Sequence, residues 1–343
     1  MFEDSRLDDD QALAAVDAAL RRLAEAGARV RQAVGACADV VEQLRSDDAP
    51  RAVVAAGGDA RLLRAVLEPS CPVPFVAWPG PGLPGWTGSL DTVVVTAAGP
   101  GATGVDEAAI SAVAEAVRRG CGLVVAADPH SGIAQLAAGR HTTLLPVSSA
   151  DPLAAAVVML QASHALGLGP DVDVESVATA LDDVAVECSP FVDMVHSPAK
   201  ELALRLADAT PVLWGGSVLA ARAARRVAEG LRRTTGRSCL AAAADQLLLV
   251  VAHAAPRDLF ADPYDDGAAT LPPALVVLED GTENALIREQ RGRLLSAASA
   301  HGVRTGTLVA AHGSPVARYA SLLARGSYTA VYLGVGLGAD PPV

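Results

Sequence analysis

The chain has 343 residues, room for two ordinary domains with substantial cores, and 51% of it is apolar while only 3% is aromatic, so the cores are expected to be Ala, Val and Leu, with helices packed on Val-rich strands. A formal net charge of −12 excludes the clustered basic surface that a nucleic-acid partner needs. Five widely spaced cysteines without a CxxC pair exclude a disulfide framework and a zinc site.

The start MFEDSRLDDD is acidic and polar, unlike a signal peptide. From Asp10 to about Arg45 an Ala-rich pattern with apolar spacing near 3.6 predicts one or two amphipathic helices, ended by SDDAP. Val-rich runs then alternate with helical segments: AVVAA, VPFVAW, DTVVVTA, CGLVVAAD and TTLLPV. Such nearly continuous apolar strands are buried on both faces, which predicts a parallel sheet covered by helices on each side. Residues 151–190 read as helical. HSPAKELALRLADA follows as a helix, with Ser197 as its cap and Pro198 at its first position. Beyond it the alternation resumes with TPVLWGG, SCLAAAA, PALVVLED, TGTLVAA and TAVYLG. The longest apolar stretch, LAAAADQLLLVVAHAA, is broken by Asp245 and Gln246 and is too short to span a bilayer. The expectation is a cytoplasmic protein that contacts neither membrane nor nucleic acid.

The predicted fold class is α/β, with two doubly wound parallel sheets flanked by helices and an N-terminal helical segment. Its expected divisions are N-terminal helices at 1–49, a first sheet domain at 50–150, a helical connection at 151–190 and a second sheet domain at 191–343. An internal echo supports the pairing. AVVAAGGDARLL (Ala52 to Leu63) and PVLWGGSVLAAR (Pro211 to Arg222) both run from an apolar strand through Gly-Gly and a short polar residue into a helix.

A parallel strand running through glycines into a helix offers free backbone N–H groups and a helix dipole to an anion. Three turns qualify: Gly57-Gly58-Asp59, Thr96 to Thr103, and Gly215-Gly216-Ser217. None is a Walker loop or a clean GxGxxG fingerprint, and packing alone also explains strand-to-helix glycines. The candidate phosphate-binding residues are Gly57, Gly58, Thr96, Gly99, Gly101, Thr103, Gly215, Gly216 and Ser217.

LPGWTGSLDTVVVTAAGPG, SPAKELALRLADATPVLWGG and SYTAVYLGVGLGADP stand in the order and spacing of three segments of a known family. Through them the chain resembles the bifunctional phosphoglucose/phosphomannose isomerases, which are built from two SIS (sugar isomerase) domains. The resemblance implies two SIS-type sheets, a phosphorylated sugar as ligand, aldose–ketose isomerisation of hexose 6-phosphates, a homodimer and no cofactor. Departures are equally plain. Thr96 and Ala98 stand where the family has two phosphate-binding serines, and Pro100 and Gly101 stand where it has Asn-Thr. Asp59 replaces the serine of the first glycine turn, so either its carboxylate turns away or no phosphate sits there. Isomerisation needs a base to shuttle a proton between C1 and C2 and an acid/base to open the ring. His253, which follows an apolar run read as a strand, matches the family histidine and is the candidate catalytic residue. The glutamate position sixteen residues earlier is Arg237, and the family's C-terminal lysine has no counterpart.

Asp245 and Asp258 are candidates for a displaced base. The alternative function is a catalytically silent relative that binds a phosphosugar or nucleotide sugar. His130 and His141 read as loop and strand-edge residues, and no HxxxH or HExxH pair suggests a metal. The arginines at 222, 225, 226, 232, 233 and 237 read as a solvated face, with an anion clamp as the alternative. Asp258 to Gly267 reads as an exposed acidic loop. Lys200 is the only lysine.

Overall fold

The computed structural model of the chain describes residues 2–44, 49–57, 60–97, 107–148, 150–254 and 271–339. After a short 3-10 helix at Asp4–Asp8 come α1 (Asp10–Ala14), α2 (Asp17–Ala24) and α3 (Ala26–Gln43). Then follow β1 (Val53–Gly57), α4 (Ala60–Leu67), β2 (Phe75–Ala77), β3 (Thr92–Ala97), α5 (Glu107–Arg119), β4 (Gly122–Ala127), α6 (Gly132–Ala137), β5 (Thr142–Pro146), α7 (Pro152–Ala165) and α8 (Val174–Glu187). The remainder is α9 (Pro198–Leu206), β6 (Thr210–Gly215), α10 (Val218–Thr235), β7 (Leu240–Ala241), α11 (Ala244–Ala252), β8 (Pro273–Glu279), α12 (Ala285–Ala300), β9 (Arg304–Val309) and α13 (Pro315–Leu337). Two units result. The N-terminal unit is Ala26–Thr179; the C-terminal unit joins Met1–Glu25 to Ala180–Val343. The N-terminal helices are thus divided, α1 and α2 going with the C-terminal unit and α3 with the other.

The N-terminal unit holds a parallel sheet of order β2-β1-β3-β4-β5. Its Val-rich strands are buried on both faces, as continuous apolar runs require. Val54, Val93, Val95, Leu123 and Val125 form one core with the inner faces of α5 and α6. At the sheet's N-terminal end Arg51 pairs with Asp91 at 2.5 Å, and the Gly88 N–H donates to the same carboxylate at 2.7 Å. Burial alone would raise that carboxyl, but these donors hold it below its ordinary value.

The C-terminal unit holds a parallel sheet of order β7-β6-β8-β9. Val212, Trp214, Leu275 and Val277 pack on α11 and α12. Along α13, Gly326 lets α10 approach so closely that a Cβ there would meet Val227 Cγ2 at 2.2 Å. As expected, Ser197 caps α9 and Pro198 opens it. Lys200, wholly buried on that helix, donates to Asp8 Oδ1 at 2.7 Å and to the carbonyls of Pro190 and Val192 at 3.0 and 2.8 Å. Its ammonium also lies 5.4 Å from the centre of the Tyr332 ring.

Two sequence expectations are corrected. TAVYLG is not a strand but the middle of α13, a 23-residue helix. The run before His253 is likewise helix α11, not a strand. TAVYLG is apolar on nearly every residue because α13 is deeply packed, whereas α11 buries only Ala244, Leu247 and Val251 and leaves Leu249 and Val250 exposed, so its apolar outer residues hide the helical period instead. SCLAAAA contributes only the two-residue β7.

Candidate functional site

In each sheet the chain reverses direction at one point, and there the strand ends leave a crevice where ligands of doubly wound sheets sit. In the N-terminal unit the chain passes from β1 out to β2, then returns to β3 and continues to β4 and β5, so the reversal lies between β1 and β3. Gly57 and Thr96 are register partners across it. Gly57 has φ +91°, a backbone that side-chain-bearing residues rarely adopt. Thr96 is only 4% exposed, and its Oγ1 has no hydrogen-bond partner among the described residues. A buried, unpartnered hydroxyl costs about 1–3 kcal/mol. Gly58, Asp59, Ala98, Gly99, Pro100, Gly101 and Thr103 lie outside the described residues.

The corresponding reversal in the C-terminal unit lies between β6 and β8. Gly215 pairs there with Leu278. A Cβ on Gly215 would meet the backbone carbonyl of Ala220 at 2.3–2.4 Å, so this glycine is required by close strand–helix packing. One on Gly216 would meet Ile287 at 2.6 Å and Trp214 at 2.9 Å. Ser217 caps α10, accepting from the Ala220 N–H at 3.0 Å, and its hydroxyl donates to Asp280 Oδ2. Asp280 is 7% exposed, and its other oxygen accepts from the Thr282 N–H at 3.0 Å. Ser217 is therefore committed to the fold on both sides.

Around this point lies a cavity of about 370 Å³. Trp214, Ile287 and Val309 give it apolar walls, while Asp280, Arg291 and Arg318 bring charge. Glu279 bonds Arg291 at 3.0 Å, and Glu283 lies 3.6 Å from the same guanidinium. Arg318, in the first turns of α13, donates through Nη1 to the Asp280 carbonyl at 2.7 Å. Sequence reasoning missed this cluster because its charged members come from the end of β8, from α12 and from α13. The one available signal was Glu279-Asp280-Gly281 directly after a buried strand.

His253 is exposed at the C-terminal end of α11, its Nδ1 2.8 Å from the Leu249 carbonyl. It does not line the cavity. Arg237, at the position matched to a catalytic glutamate, donates to the Ala207 carbonyl at 2.5 Å, and burial lowers its pKa. Three other arginines of that cluster have partners within the fold: Arg226 and Arg233 pair with Glu229, and Arg232 donates to the Cys239 carbonyl. Asp245 is exposed in the first turn of α11; Asp258 and the stretch to Gly267 are outside the described residues. His130 and His141 are exposed, with the His130 N–H on Asp128 and His141 Nε2 accepting from Arg140. Burial pushes the Cys37 thiol to about 11 and those of Cys188 and Cys239 to about 12, which removes them as nucleophiles. Among the described residues no group of three or more His, Cys, Asp or Glu side chains is placed to hold a metal ion, and no helix is long and apolar enough to cross a membrane.

Residues 195–342 match the family model of the bacterial phospho-glucose isomerase C-terminal SIS domain. The chain has the SIS fold. Among solved structures this SIS protein is similar to a glucose-6-phosphate isomerase like protein from Thermus thermophilus, at 18% identity and TM-score 0.57, covering 98% of this chain and 94% of that one. It is also similar to the tagatose-6-phosphate ketose/aldose isomerase of Escherichia coli, at 12% identity and TM-score 0.60 over 94% and 93% of the two chains. The C-terminal domain of a glucosamine-fructose-6-phosphate aminotransferase from Francisella tularensis matches at 10% identity and TM-score 0.61, over 94% and 97%. No curated protein matches it in sequence. The family match thus covers the C-terminal part of the chain, and the solved phosphosugar isomerases share its fold.

Proposed function

We propose that this SIS protein binds a phosphorylated hexose at the C-terminal edge of its N-terminal sheet. The observation that carries the reading is Thr96: a buried hydroxyl without a partner among the described residues, at the topological switch point, beside a glycine in a conformation that brings bare backbone to the crevice. A phosphate oxygen accepting from Oγ1 would remove the cost of leaving that group unpaired. Similarity to glucose-6-phosphate and tagatose-6-phosphate isomerases supports a sugar phosphate as the ligand class. A homodimer belongs to the same reading and is checked by light scattering of the purified chain.

Two functions are compatible with binding. In the first, fructose 6-phosphate interconverts with glucose 6-phosphate and mannose 6-phosphate, with His253 moving a hydroxyl proton and Asp245 or Asp258 replacing the missing base. In the second, the protein binds without turnover, as a sensor or a partner of an active enzyme. Arg237 favours the second: a guanidinium that caps a backbone carbonyl stands where the base would be. Fructose 6-phosphate is expected to raise the melting temperature, since a ligand at a hundred times its Kd adds about 2.7 kcal/mol to stability. Thr96→Val should remove that shift, and a shift unchanged in that variant would overturn the site. Coupled assays for both aldose products, with His253→Ala beside the wild type, separate the functions: turnover lost in the variant establishes the isomerase, and absence of turnover in a protein that binds establishes the silent form.

A further inference from the structure

We propose that the cavity between the ends of β6, β8 and β9 is a second ligand site, separate from the first, and takes a small hydroxylated anion: a sugar phosphate or a sugar acid held by Arg318. The inference starts from which charges already have partners. Glu279 is bonded to Arg291, and Glu283 is drawn to the same guanidinium. Both oxygens of Asp280 are occupied, by the Ser217 hydroxyl and the Thr282 N–H. Arg318 is different. Its Nη1 bonds a neutral carbonyl, its Nε is buried without a partner, and it makes no ion pair among the described residues. A guanidinium lining a cavity with a buried, unanswered N–H calls for an anion, and its planar fork fits phosphate and carboxylate alike.

The surroundings define the rest of the ligand. At about 370 Å³ the cavity lies at the small end of the roughly 300–1,000 Å³ range of ligand sites, a size for a monosaccharide derivative. Arg318 stands near the start of a 23-residue helix whose dipole also favours negative charge, and Gly281, Gly313 and Gly216 leave the rim without side chains. The carboxylates of Glu279 and Asp280 retain acceptor lone pairs for ligand hydroxyls, and Thr282 and His312 line the same space. A bare dianion meets too many carboxylates here; an anionic end on Arg318 with hydroxyls toward the acids satisfies both.

The test uses the intact Thr96→Val protein, in which the first site is disabled, titrated with 6-phosphogluconate, fructose 6-phosphate and inorganic phosphate. Heat and tryptophan fluorescence are followed together, because Trp214 forms a cavity wall. Saturable binding of at least one hydroxylated anion at one per chain is expected. Arg318→Lys should weaken it at least tenfold, and Trp214→Phe should remove the fluorescence change. Ala311→Leu fills the cavity while leaving Arg318 in place and should also abolish binding, so the result does not depend on one variant folding. Absence of saturable binding, binding of inorganic phosphate alone, or titrations unchanged by both Arg318→Lys and Ala311→Leu would overturn the site. Failure of the first site is read separately, from whether wild type and Thr96→Val differ.

Discussion

Gly57 and Gly215 end the leading strands of the two sheets and occupy the same place in a repeated sequence pattern, yet different physics requires each. Gly57 is needed for its dihedral, φ +91°. Gly215 is needed for space, because the backbone of α10 passes where a Cβ would be. The neighbouring hydroxyls diverge as well: Ser217 is bonded on both sides, while Thr96 has no partner among the described residues. A repeated motif therefore marks a repeated fold, and the state of the hydroxyl beside it distinguishes a candidate anion site from a helix cap.

Alanine substitution breaks the comparison most directly. Gly215→Ala places a carbon within 2.4 Å of backbone that cannot swing aside, so it should cost at least ~3 kcal/mol in urea denaturation, or prevent folding. Gly57→Ala strains one dihedral and should cost ~1–3 kcal/mol; an equal or larger loss there would reverse the assignment. Next in size are the hydroxyls, which should differ in sign. Ser217→Ala removes a cap and leaves Asp280 short of a donor, a loss of ~1–2 kcal/mol. Thr96→Val deletes an unpaired polar atom at nearly constant volume, so the unliganded protein should be unchanged or up to ~1 kcal/mol more stable. A clear loss would mean that Thr96 is already bonded.

The smallest effect sharpens the contrast at the opposite ends of the sheets, where Arg51–Asp91 and Arg304–Asp208 clamp the strands. The Asp91 carboxyl lies below its ordinary value of 3.8 in the folded protein. Its contribution is present above the unfolded pKa and is lost as pH falls through the folded one. Asp91→Asn should therefore lower stability by ~1 kcal/mol near neutrality and flatten the decline below about pH 4 in acid titrations of the melting temperature. An unchanged acid profile would show that other carboxylates set it.

Much of this architecture was readable in advance. The apolar runs located all nine strands, β7 as only two residues of SCLAAAA, and Ser197-Pro198 marked α9 as it stands. Reading failed where burial was total: α13 hides even its tyrosines, so TAVYLG carried no polar face to separate helix from strand. At the site the glycines were visible because they are local. The Ser217–Asp280 bond joins residues 63 apart, and the Arg318 contact with Asp280 joins residues 38 apart, so no spacing rule could have found them.

Lys200 has a further meaning. The chain's only lysine is sealed beneath Asp8 and the carbonyls of Pro190 and Val192, so the described surface presents no side-chain amine to solvent. Acylating reagents, aldehyde crosslinkers and enzymes that modify lysine find no target there until the N-terminal segment lifts away. The rate at which such a reagent marks Lys200 is a clock for that opening, and it needs no engineered probe.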